Sequence, residues 1–481
     1  MADLQTIRKT VQEHGQQHLM QFYEELAEPQ QTALLEQLAA IDWDRIDEYV
    51  QKYVLNPSAF ETPGEITPPE IIPAQPTGDL AERCAAARKR GKALLADGKV
   101  AAFVVAGGQG TRLGFDGPKG CFEVTPVQRK PLFQGFAEQI LAAGRRAKTA
   151  IPWYVMTSLA NDVQTRAFFR RNNFFGLSPK DVIFFTQGVI PAPDFEGKLL
   201  LAGKGVVAMS PDGHGGSLLA LRKSGALADM AKRGIELISY FQVDNPLVHC
   251  IDPLFLGLHD MQGAEMSAKC LPKRDPMEKL GNFCVVDGKV TVIEYSDMPP
   301  ELAQACTDDG RLKFSAGSIA IHVIGRSFVE RLTDNDRCEL PLHRAEKAVP
   351  FVDATGNVVK PDKPNAVKLE MFVFDAMPLA SETVILETDR REEFSPVKNE
   401  SGADSANTCL HEQVRRAAAW LEDAGISVPR DADGQVAAAI EISPLFADSA
   451  AELAKRIDRN LVITSGQNVY LGSRGQSGGL R

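Results

Sequence analysis

The stretch Val100–Val124, VAAFVVAGGQGTRLGFDGPKGCFEV, decides the fold of this chain. Its first six residues, Val100–Val105, are apolar and rich in β-branched side chains, a pattern typical of a strand buried on both faces. The glycine-rich turn 106–111 follows directly, and glycines let the backbone turn sharply and approach a ligand. Exposed backbone N–H groups in such a turn can bind a base edge or a phosphate. Because the cations Arg112 and Lys119 come next, the stretch predicts a nucleotide site.

Two common nucleotide-binding motifs do not fit this stretch. The dinucleotide fingerprint GxGxxG fails because the glycine after Gly108 and Gly110 is Gly114, one position too late, which disfavours a dehydrogenase. The P-loop pattern fails because Lys119 is followed by Gly120 and not by Ser or Thr. A chance glycine turn is disfavoured because the strand and both cations accompany it. The pattern GGxGTRLG followed by Pro-Lys resembles the signature of sugar nucleotidyltransferases.

Composition excludes several classes of protein. A chain of 481 residues suggests two or three domains, and 44% hydrophobic with 24% charged residues is ordinary for a globular protein. A net charge of −10 without a basic tract argues against nucleic-acid binding. No apolar run of membrane-spanning length and no signal-like start are present, so we expect no membrane association and a cytoplasmic protein. Eight scattered cysteines without a CxxC pair indicate neither a zinc site nor a disulfide framework.

The N-terminal part of the chain is predicted to be helical. Apolar residues recur at helical spacing within the first 55 residues, for example at Leu19, Phe22 and Leu26. Frequent prolines from Asn56 to Thr77 indicate an extended, irregular connector. A helix over roughly Leu80–Leu95 then leads into the first strand.

Strand-like and helix-like segments alternate after this point. The candidate strands beyond the first one are Ile151–Thr157, Val182–Gln187, Ile235–Val243 and Glu265–Lys269. This alternation predicts an α/β fold with a mostly parallel sheet and helices on both faces. Ligands of such sheets bind at the carboxyl ends of the strands, so residues directly after each apolar run are candidate site residues.

Three of these strand-end positions carry informative residues. Gln187 follows one strand, and its amide can match the donor and acceptor edge of a pyrimidine, although closing a turn is an alternative role. Pro211–Gly216 is a second glycine loop, which either approaches a base or ribose or simply opens the helix near Leu218. Asp244 ends another strand, where it either holds a hard divalent cation together with substrate phosphates or caps the next helix.

The chain as a whole resembles the eukaryotic-type UDP-N-acetylhexosamine pyrophosphorylases, members of the UDP-sugar pyrophosphorylase superfamily. The resemblance covers nearly the whole chain, and its long motifs make it specific. The matching stretches are HGQQHLMQFYEEL, AGGQGTRLG with PKG, MTS, DVIFFTQG, SPDGHGG, VDN followed by DP, VIEYS, KPDKPNAVKLEMFVFD, REEFSPVKN and IEISPL.

The resemblance implies a fold, a reaction and a cofactor. The implied fold has an N-terminal helical region with its connector (1–96), a Rossmann-like nucleotidyltransferase core with a mixed, mostly parallel sheet (97–386) and a small C-terminal domain (387–481). The implied reaction joins UTP and N-acetylglucosamine 1-phosphate, or its galactosamine epimer, into a UDP-sugar with release of pyrophosphate, using Mg²⁺. Because a sugar phosphate is largely a dianion at neutral pH, the reaction needs charge neutralisation and no general base.

The resemblance also assigns roles to individual residues. The residues expected to contact the phosphates during catalysis are Arg112, Lys119 and Lys398. The residues expected to bind the nucleotide are Ala106, Gly107, Gly108, Gln109, Gly110, Thr111, Gln187, Gly213 and His214. The residues expected to bind the sugar and its phosphate are Gly281, Glu294, Ser318, Lys368, Phe372 and Phe374. Asp244 is expected to hold the metal.

Departures from the family pattern bear on the choice of sugar. His214 stands where the family has asparagine; it can donate one hydrogen bond but differs in size and titration. Ser315 and Ser318 replace two family asparagines, which favours a glucose 1-phosphate enzyme as the alternative. Phe372 and Phe374 match the family pattern. Because they are two residues apart, we expect them on one face of a strand, where they either line the pocket for the acetamide that the resemblance implies or pack in the core. A non-catalytic nucleotide-sugar-binding protein is a further alternative, disfavoured because the charged residues are all present.

Overall fold

The computed structural model describes residues 3–57 and 64–472, so residues 58–63 of the predicted connector and the end of the predicted C-terminal domain lie outside the described residues. Within these ranges the α-helices are α1 Leu4–Glu13, α2 Glu28–Ala39, α3 Trp43–Tyr49, α4 Gly78–Ala96, α5 Leu132–Ala147, α6 Asp162–Arg171, α7 Gly216–Lys223, α8 Ala226–Arg233, α9 Pro253–Gln262, α10 Pro300–Ala303, α11 Arg326–Leu332, α12 Arg390–Glu393, α13 Ala406–Asp423 and α14 Ala450–Arg456. Within the same ranges the strands are β1 Ile66–Thr67, β2 Val100–Val105, β3 Trp153–Thr157, β4 Val182–Thr186, β5 Val189–Pro191, β6 Leu201–Gly203, β7 Val206–Val207, β8 Met209–Pro211, β9 Leu237–Gln242, β10 Met266–Pro272, β11 Asn282–Val286, β12 Lys289–Ile293, β13 Ala316–Gly325, β14 Leu342–Lys347, β15 Phe351–Val352, β16 Val358–Val359, β17 Ala366–Met371, β18 Thr383–Glu387, β19 Ala439–Ile442 and β20 Asn468–Leu471.

The chain forms two units. Unit 1 consists of residues 1–63, 187–217 and 339–375, and unit 2 consists of residues 64–186, 218–338 and 376–481. The division after residues 96 and 386 that the sequence suggests remains a prediction. Within the described residues, no helix is long and apolar enough to cross a membrane. All eight cysteines are free thiols.

Unit 2 contains a ten-stranded sheet. Its main path is β1-β11-β13-β9-β2-β3-β4, while β12 pairs with β11, and β10 pairs with both β13 and β18. Strands β2, β3, β4, β9, β10, β11 and β18 run in one direction, and β1, β12 and β13 run against them. The α/β fold with a mixed, mostly parallel sheet is therefore confirmed.

The centre of this sheet is held by complete burial of apolar side chains. All residues of β2 up to Val104 and all residues of β3 are buried, as the continuous apolar runs predict for strands covered on both faces. Helix α5 packs on one face through Phe133 and Phe136. Phe169 of α6 contacts the Phe133 ring with a centroid distance of 4.9 Å. This rigid layer places the carboxyl ends of β2, β3 and β9 side by side.

The C-terminal part of unit 2 has a small core of its own. Strands β19 and β20 pair in parallel, and helix α13 packs against them. Trp420 and Leu421 of α13 are buried with Ile440 and Val469 of the two strands. The part of the chain after α12 therefore builds a distinct hydrophobic cluster within unit 2.

Unit 1 is assembled from its three stretches of chain. Gln16 donates from Nε2 to Gly197 O (2.9 Å), and its Oε1 accepts from Leu199 N–H (3.0 Å), so the first stretch is joined to the second. Val367 N–H donates to Pro193 O (2.9 Å) and joins the third stretch to the second. The two-stranded sheets β5-β8, β6-β7, β14-β17 and β15-β16 complete the unit.

Candidate active site

The glycine-rich turn lies at the carboxyl end of β2, where the sequence places it. Ala106 N–H donates to Met156 O of the neighbouring strand β3 (2.8 Å). The chain then folds back on itself, because Gly110 N–H donates to Gly117 O (2.8 Å) and Lys119 N–H donates to Gly108 O (3.1 Å). The backbone of Lys119 is thereby fixed beside the turn.

Asn161 holds this turn in place and was missed by the sequence analysis. Its side chain is fully buried and donates from Nδ2 to Ala106 O (3.0 Å) and to Gly108 O (3.3 Å). Its Oδ1 accepts from Ser158 N–H (2.9 Å) at the end of β3. A polar residue four positions after a strand end is the only sequence signal, and it is a weak one.

The glycines of the turn have different surroundings. A Cβ on Gly110 would lie 2.6 Å from the Phe115 ring, and a Cβ on Gly120 would lie 2.2 Å from the Phe133 ring, so these two positions are closed by packing. A Cβ on Gly108 would meet nothing within 4 Å. Gly108 therefore presents bare backbone to open space, which is the arrangement that close approach of a ligand requires.

Three charged residues around this turn act on Lys119. Burial lowers the pKa of Lys119, the positive charges of Lys398 and Arg112 lower it further, and the negative charge of Asp244 opposes the shift. Lys119 is half-buried, whereas Arg112 is exposed. Unit 2 therefore brings together three predicted site cations and one predicted site carboxylate from distant parts of the chain: Arg112, Lys119, Lys398 and Asp244.

Asp244 stands two residues beyond the end of β9, next to the turn after β2. Strands β2 and β9 are parallel neighbours with Val105 opposite Gln242, so their carboxyl ends coincide. The alternative role of Asp244 as a helix cap is wrong, because the N-cap of α9 is Asp252, which accepts from Leu254 N–H.

The surroundings of Asp244 fit a magnesium ion bound together with phosphates. Its carboxylate makes no hydrogen bond or ion pair with any residue of the described ranges. No group of three or more metal-ligating side chains exists among the described residues. Mg²⁺ commonly binds through one or two carboxylates, substrate phosphates and water, so a single carboxylate beside the glycine turn, without a partner among the described residues, is a suitable donor.

Three residues predicted to bind the sugar also meet in unit 2. Ser318 N–H of β13 donates to Gly281 O (2.8 Å). A Cβ on Gly281 would lie 2.6 Å from Val292 Cγ1 and 3.2 Å from Glu294 Oε1, so packing closes this position and brings Gly281 next to that carboxylate. A bulge in β13 beside Ser318, where Ala320 has a left-handed backbone (φ 54°), bends the strand at this point.

The second glycine loop lies in unit 1 and is tied to the end of β17. Met371 N–H donates to Asp212 O (2.8 Å), and Gly215 N–H donates to Met371 O (2.8 Å). Gly213 has φ 84°, and a Cβ there would lie 2.4 Å from Met371 O. Only glycine fits this position, which explains the residue type that the motif requires.

His214 links the same loop to the residues after β17. Its Nδ1 accepts from Val373 N–H (3.1 Å), and its ring stacks on Phe372 with a centroid distance of 5.1 Å and an interplanar angle of 8°. Burial lowers the pKa of His214 to about 4, and the nearby His343 contributes to the shift. The ring is therefore neutral at physiological pH, with its proton on Nε2. This Nε2–H is the single hydrogen-bond donor that histidine offers in place of the family's asparagine.

The placement of Phe372 and Phe374 on one face of a strand is wrong. Strand β17 ends at Met371, and Phe374 lies in the 3₁₀ helix Val373–Leu379. The strand stops there because the backbone of Met371 is bonded to the glycine loop, and the chain turns. The two rings nevertheless lie 5.2 Å apart.

His343 completes this aromatic group and was not predicted. Its ring stacks on Phe372 with a centroid distance of 4.1 Å, and its Nε2 is 2.8 Å from Asp375 Oδ2. It reaches this position because β14 pairs with β17 and sets His343 opposite Glu370. No local sequence signal reveals a partnership between residues so far apart.

The two remaining predicted residues of unit 1 differ in their partners. Lys368 on β17 pairs with Glu370, with 2.9 Å between Nζ and Oε1. Gln187 follows β4 and makes no hydrogen bond with any described residue. Its amide is thus available to a ligand, whereas the Lys368 ammonium is paired with a carboxylate.

The predicted site residues therefore form two groups, one in each unit. The group in unit 2 comprises Ala106, Gly107, Gly108, Gln109, Gly110, Thr111, Arg112, Lys119, Asp244, Gly281, Glu294, Ser318 and Lys398. The group in unit 1 comprises Gln187, Gly213, His214, Lys368, Phe372 and Phe374.

Comparisons with known proteins agree with the motifs. The family model described as UTP–glucose-1-phosphate uridylyltransferase matches residues 48–419. The chain is 39% identical to UDP-N-acetylhexosamine pyrophosphorylase-like protein 1 of Homo sapiens, over 94% of each chain. It is 37% identical to UDP-N-acetylglucosamine pyrophosphorylase of Saccharomyces cerevisiae, over 86% of this chain and 91% of that protein.

A solved structure shows the same relationship. The uridine diphosphate N-acetylglucosamine pyrophosphorylase of Trypanosoma brucei superposes with a TM-score of 0.79 and 27% identity over 95% of each chain. From the family match, the near-full-length relatives and the shared architecture, it follows that this chain belongs to the UTP–glucose-1-phosphate uridylyltransferase family and is related within it to the UDP-N-acetylhexosamine pyrophosphorylases.

Proposed function

We propose that this protein transfers the uridylyl group of UTP to N-acetylglucosamine 1-phosphate, or to its galactosamine epimer. A phosphate oxygen of the sugar phosphate attacks the α-phosphorus of UTP. The bond between the α-phosphorus and the bridging oxygen breaks, and pyrophosphate leaves with that oxygen. The single observation that carries the proposal is the set of four charged residues around the glycine turn in unit 2.

The charged residues have complementary tasks in this proposal. Arg112 and Lys119 neutralise the charge that develops on the leaving pyrophosphate, and Lys398 contacts the α-phosphate. Such preorganised charge is the main catalytic contribution in phosphoryl and nucleotidyl transfer, because the attacking dianion needs no base. Asp244 would hold Mg²⁺, which when bound adds positive charge at the phosphates. Burial is the main cause of the lowered pKa of Lys119, and the neighbouring cations Lys398 and Arg112 add to it, so a bound polyanion would favour the charged form of Lys119.

The remaining residues are proposed to select the base and the sugar. In unit 2 the turn 106–111 binds uridine, and in unit 1 Gln187 and Gly213 are the residues proposed to contact the nucleotide. Glu294 accepts hydrogen bonds from sugar hydroxyls, beside Gly281 and Ser318. Lys368 binds the sugar phosphate, and the aromatic pair Phe372 and Phe374 packs against the acetamide. Phe372 supports this role because it is only half-buried, so that part of its ring is open to an N-acetyl group, whereas Phe374 is buried behind it in the aromatic group.

A second candidate substrate is glucose 1-phosphate. Ser318 supports it, because a hydroxyl reaches less far than the asparagine of the family pattern and leaves fewer hydrogen bonds for an acetamido sugar. In both cases the chemistry at phosphorus is the same.

The test compares pyrophosphate release from UTP and Mg²⁺ with each of the two sugar phosphates. We expect the acetamido sugar to react with the higher kcat/KM. Preference for glucose 1-phosphate would replace the proposed substrate, and turnover of neither sugar phosphate, with tight binding of a UDP-sugar, would refute the proposed reaction.

A further inference from the structure

Two segments of unit 2 that carry proposed catalytic residues are joined by three hydrogen bonds. Asn245 donates from Nδ2 to Glu393 O (2.7 Å), and its Oδ1 accepts from Ser395 N–H (3.1 Å). Val397 N–H donates to Asp244 O (2.7 Å). Because Lys398 directly follows the last of these bonds, its backbone is fixed with respect to Asp244.

The side chain of Asn245 is specific for this junction. It is 4% exposed, and it uses one amide donor and one amide acceptor on two backbone groups of the opposite segment. Aspartate has the same shape but only acceptors, so it would face the Glu393 carbonyl without a proton between them. The junction therefore needs an amide and not merely a polar residue of this size.

A buried ion cluster lies beneath the junction. Lys269 is 1% exposed, and its Nζ lies 2.8 and 2.6 Å from the two carboxylate oxygens of Glu393 and 2.7 Å from Asp252 Oδ2. All three ammonium protons thus have acceptors. Thr388 Oγ1 also donates to Glu393 Oε2 (2.6 Å), and His249 N–H donates to Glu393 Oε1 (3.2 Å).

This cluster stays ionised within the protein. Burial by itself would raise the pKa of Glu393, but the Lys269 ammonium more than offsets this effect and the pKa lies below its usual range. The two carboxylates act in the opposite direction on Lys269 and raise its pKa above the ordinary value. A buried ion pair contributes little net stability, because desolvation cancels most of the Coulomb attraction. Its position, however, fixes Glu393 at the start of the segment that leads to Lys398.

We propose that Asn245, supported by the Lys269–Glu393 ion pair, is the positioning residue that sets Lys398 beside Asp244 for the reaction. The inference rests on the proposed function, because it takes Lys398 as a group that contacts the substrate phosphates. Asn245 itself does not touch the reacting atoms; it acts through Lys398.

The test is a double-mutant cycle with Asn245→Asp and Lys398→Ala. Lys398→Ala removes a preorganised charge, for which we expect kcat to fall about 10²- to 10³-fold. Asn245→Asp displaces the Lys398 charge without removing it. We therefore expect a smaller fall of kcat, of about tenfold. If Asn245 acts through Lys398, the double variant will be no slower than Lys398→Ala alone, within about threefold, because coupled residues are not additive.

A second readout does not depend on the metal-loaded enzyme. The affinity for UTP measured by titration calorimetry in EDTA should fall in both single variants and fall no further in the double variant. Asn245→Ala, which removes both side-chain hydrogen bonds and adds no charge, enters the same cycle in case Asn245→Asp does not fold.

A matched control is available in unit 1. Asn365 forms the same fork, with Oδ1 accepting from Val349 N–H (2.7 Å) and Nδ2 donating to Val349 O (3.0 Å). Asn365→Asp should lower the melting temperature and leave kcat unchanged.

The outcomes separate the inference from the proposed function. Effects of Asn245→Asp and Lys398→Ala that multiply would overturn the positioning role while leaving the reaction intact. Full activity of Lys398→Ala would instead remove Lys398 from the proposed chemistry, and the positioning role with it.

Discussion

Replacing Gly108 by alanine separates ligand binding from folding at the glycine turn. The added methyl group would meet nothing within 4 Å, and Gly108 is not among the glycines with positive φ. The folded state therefore loses no contact. Because alanine restricts the unfolded chain more than glycine does, we expect the free energy of unfolding to rise by about 0.4–1 kcal/mol.

The same methyl group occupies the space in which the nucleotide is proposed to approach the backbone. A tenfold loss of affinity corresponds to about 1.4 kcal/mol, which a single displaced contact supplies. We expect the Kd for UTP of Gly108→Ala to rise at least about tenfold. The assay is titration calorimetry with UTP, paired with urea denaturation of the same preparation.

Two other glycines provide the comparison. Gly135 in α5 also has open space around its Cβ position, so Gly135→Ala should stabilise the protein by about 0.5–1 kcal/mol and leave the affinity for UTP unchanged. Gly110→Ala would press on Phe115 and should destabilise the fold by about 1–3 kcal/mol. Unchanged affinity for UTP in Gly108→Ala would refute the assignment of the nucleotide to this face of the turn.

Three further perturbations test other parts of the site. Lys119→Met should lower kcat about 10²- to 10³-fold with no loss of melting temperature, since the burial of the Lys119 charge and its repulsion from Lys398 and Arg112 oppose its attraction to Asp244; a lower melting temperature would contradict this. Asn161→Ala removes the side-chain partner of the Ala106 carbonyl and of Ser158 N–H, while Gly108 O keeps its bond from Lys119 N–H. It should lower the free energy of unfolding by about 1–3 kcal/mol in urea denaturation and weaken UTP binding, and wild-type affinity would show that the turn keeps its shape without Asn161. The pKa values of His214 and His259 are both lowered to about 4, so the unfolded chain binds protons that the folded chain does not. Stability should therefore fall as the pH drops from about 6.5 towards 4, by roughly 3 kcal/mol for each histidine. His214→Asn should remove the part of this pH dependence of stability that His214 contributes and leave the part from His259. An unchanged pH dependence would show that His214 is not held neutral in the folded protein.

The sequence was sufficient for the parts of the site that depend on local pattern. The strand Val100–Val105 was predicted with its observed bounds, because a continuous apolar run followed by glycines leaves little choice. The prediction for Asp244 also placed it at a strand end, since the strand and its carboxylate are adjacent in the chain. Parallel pairing then brings such strand ends together.

The parts that sequence reasoning missed depend on partners distant in the chain. Phe374 is not on a strand, because the Asp212–Gly215 loop binds the backbone of Met371 and ends β17 there. Alternation of side chains carries no information about that loop. Asn161 and Asn245 were missed for the same reason, since each bonds to backbone groups whose position is known only after folding.

The construction of unit 1 from three separate stretches has a consequence for synthesis of the protein. The first stretch of unit 1 ends at residue 63. Strand β17, whose residues Val367 and Met371 bond to the second stretch, lies about 300 residues later. At a translation rate of about 5–20 residues per second, the ribosome needs roughly 15–60 s to bridge that interval. Once residue 217 has been made, the first two stretches can bond to each other, as Gln16 does to Gly197, but Pro193 and Asp212 still lack their bonds from Val367 and Met371. Unit 1 is therefore complete only after residue 375 has left the exit tunnel.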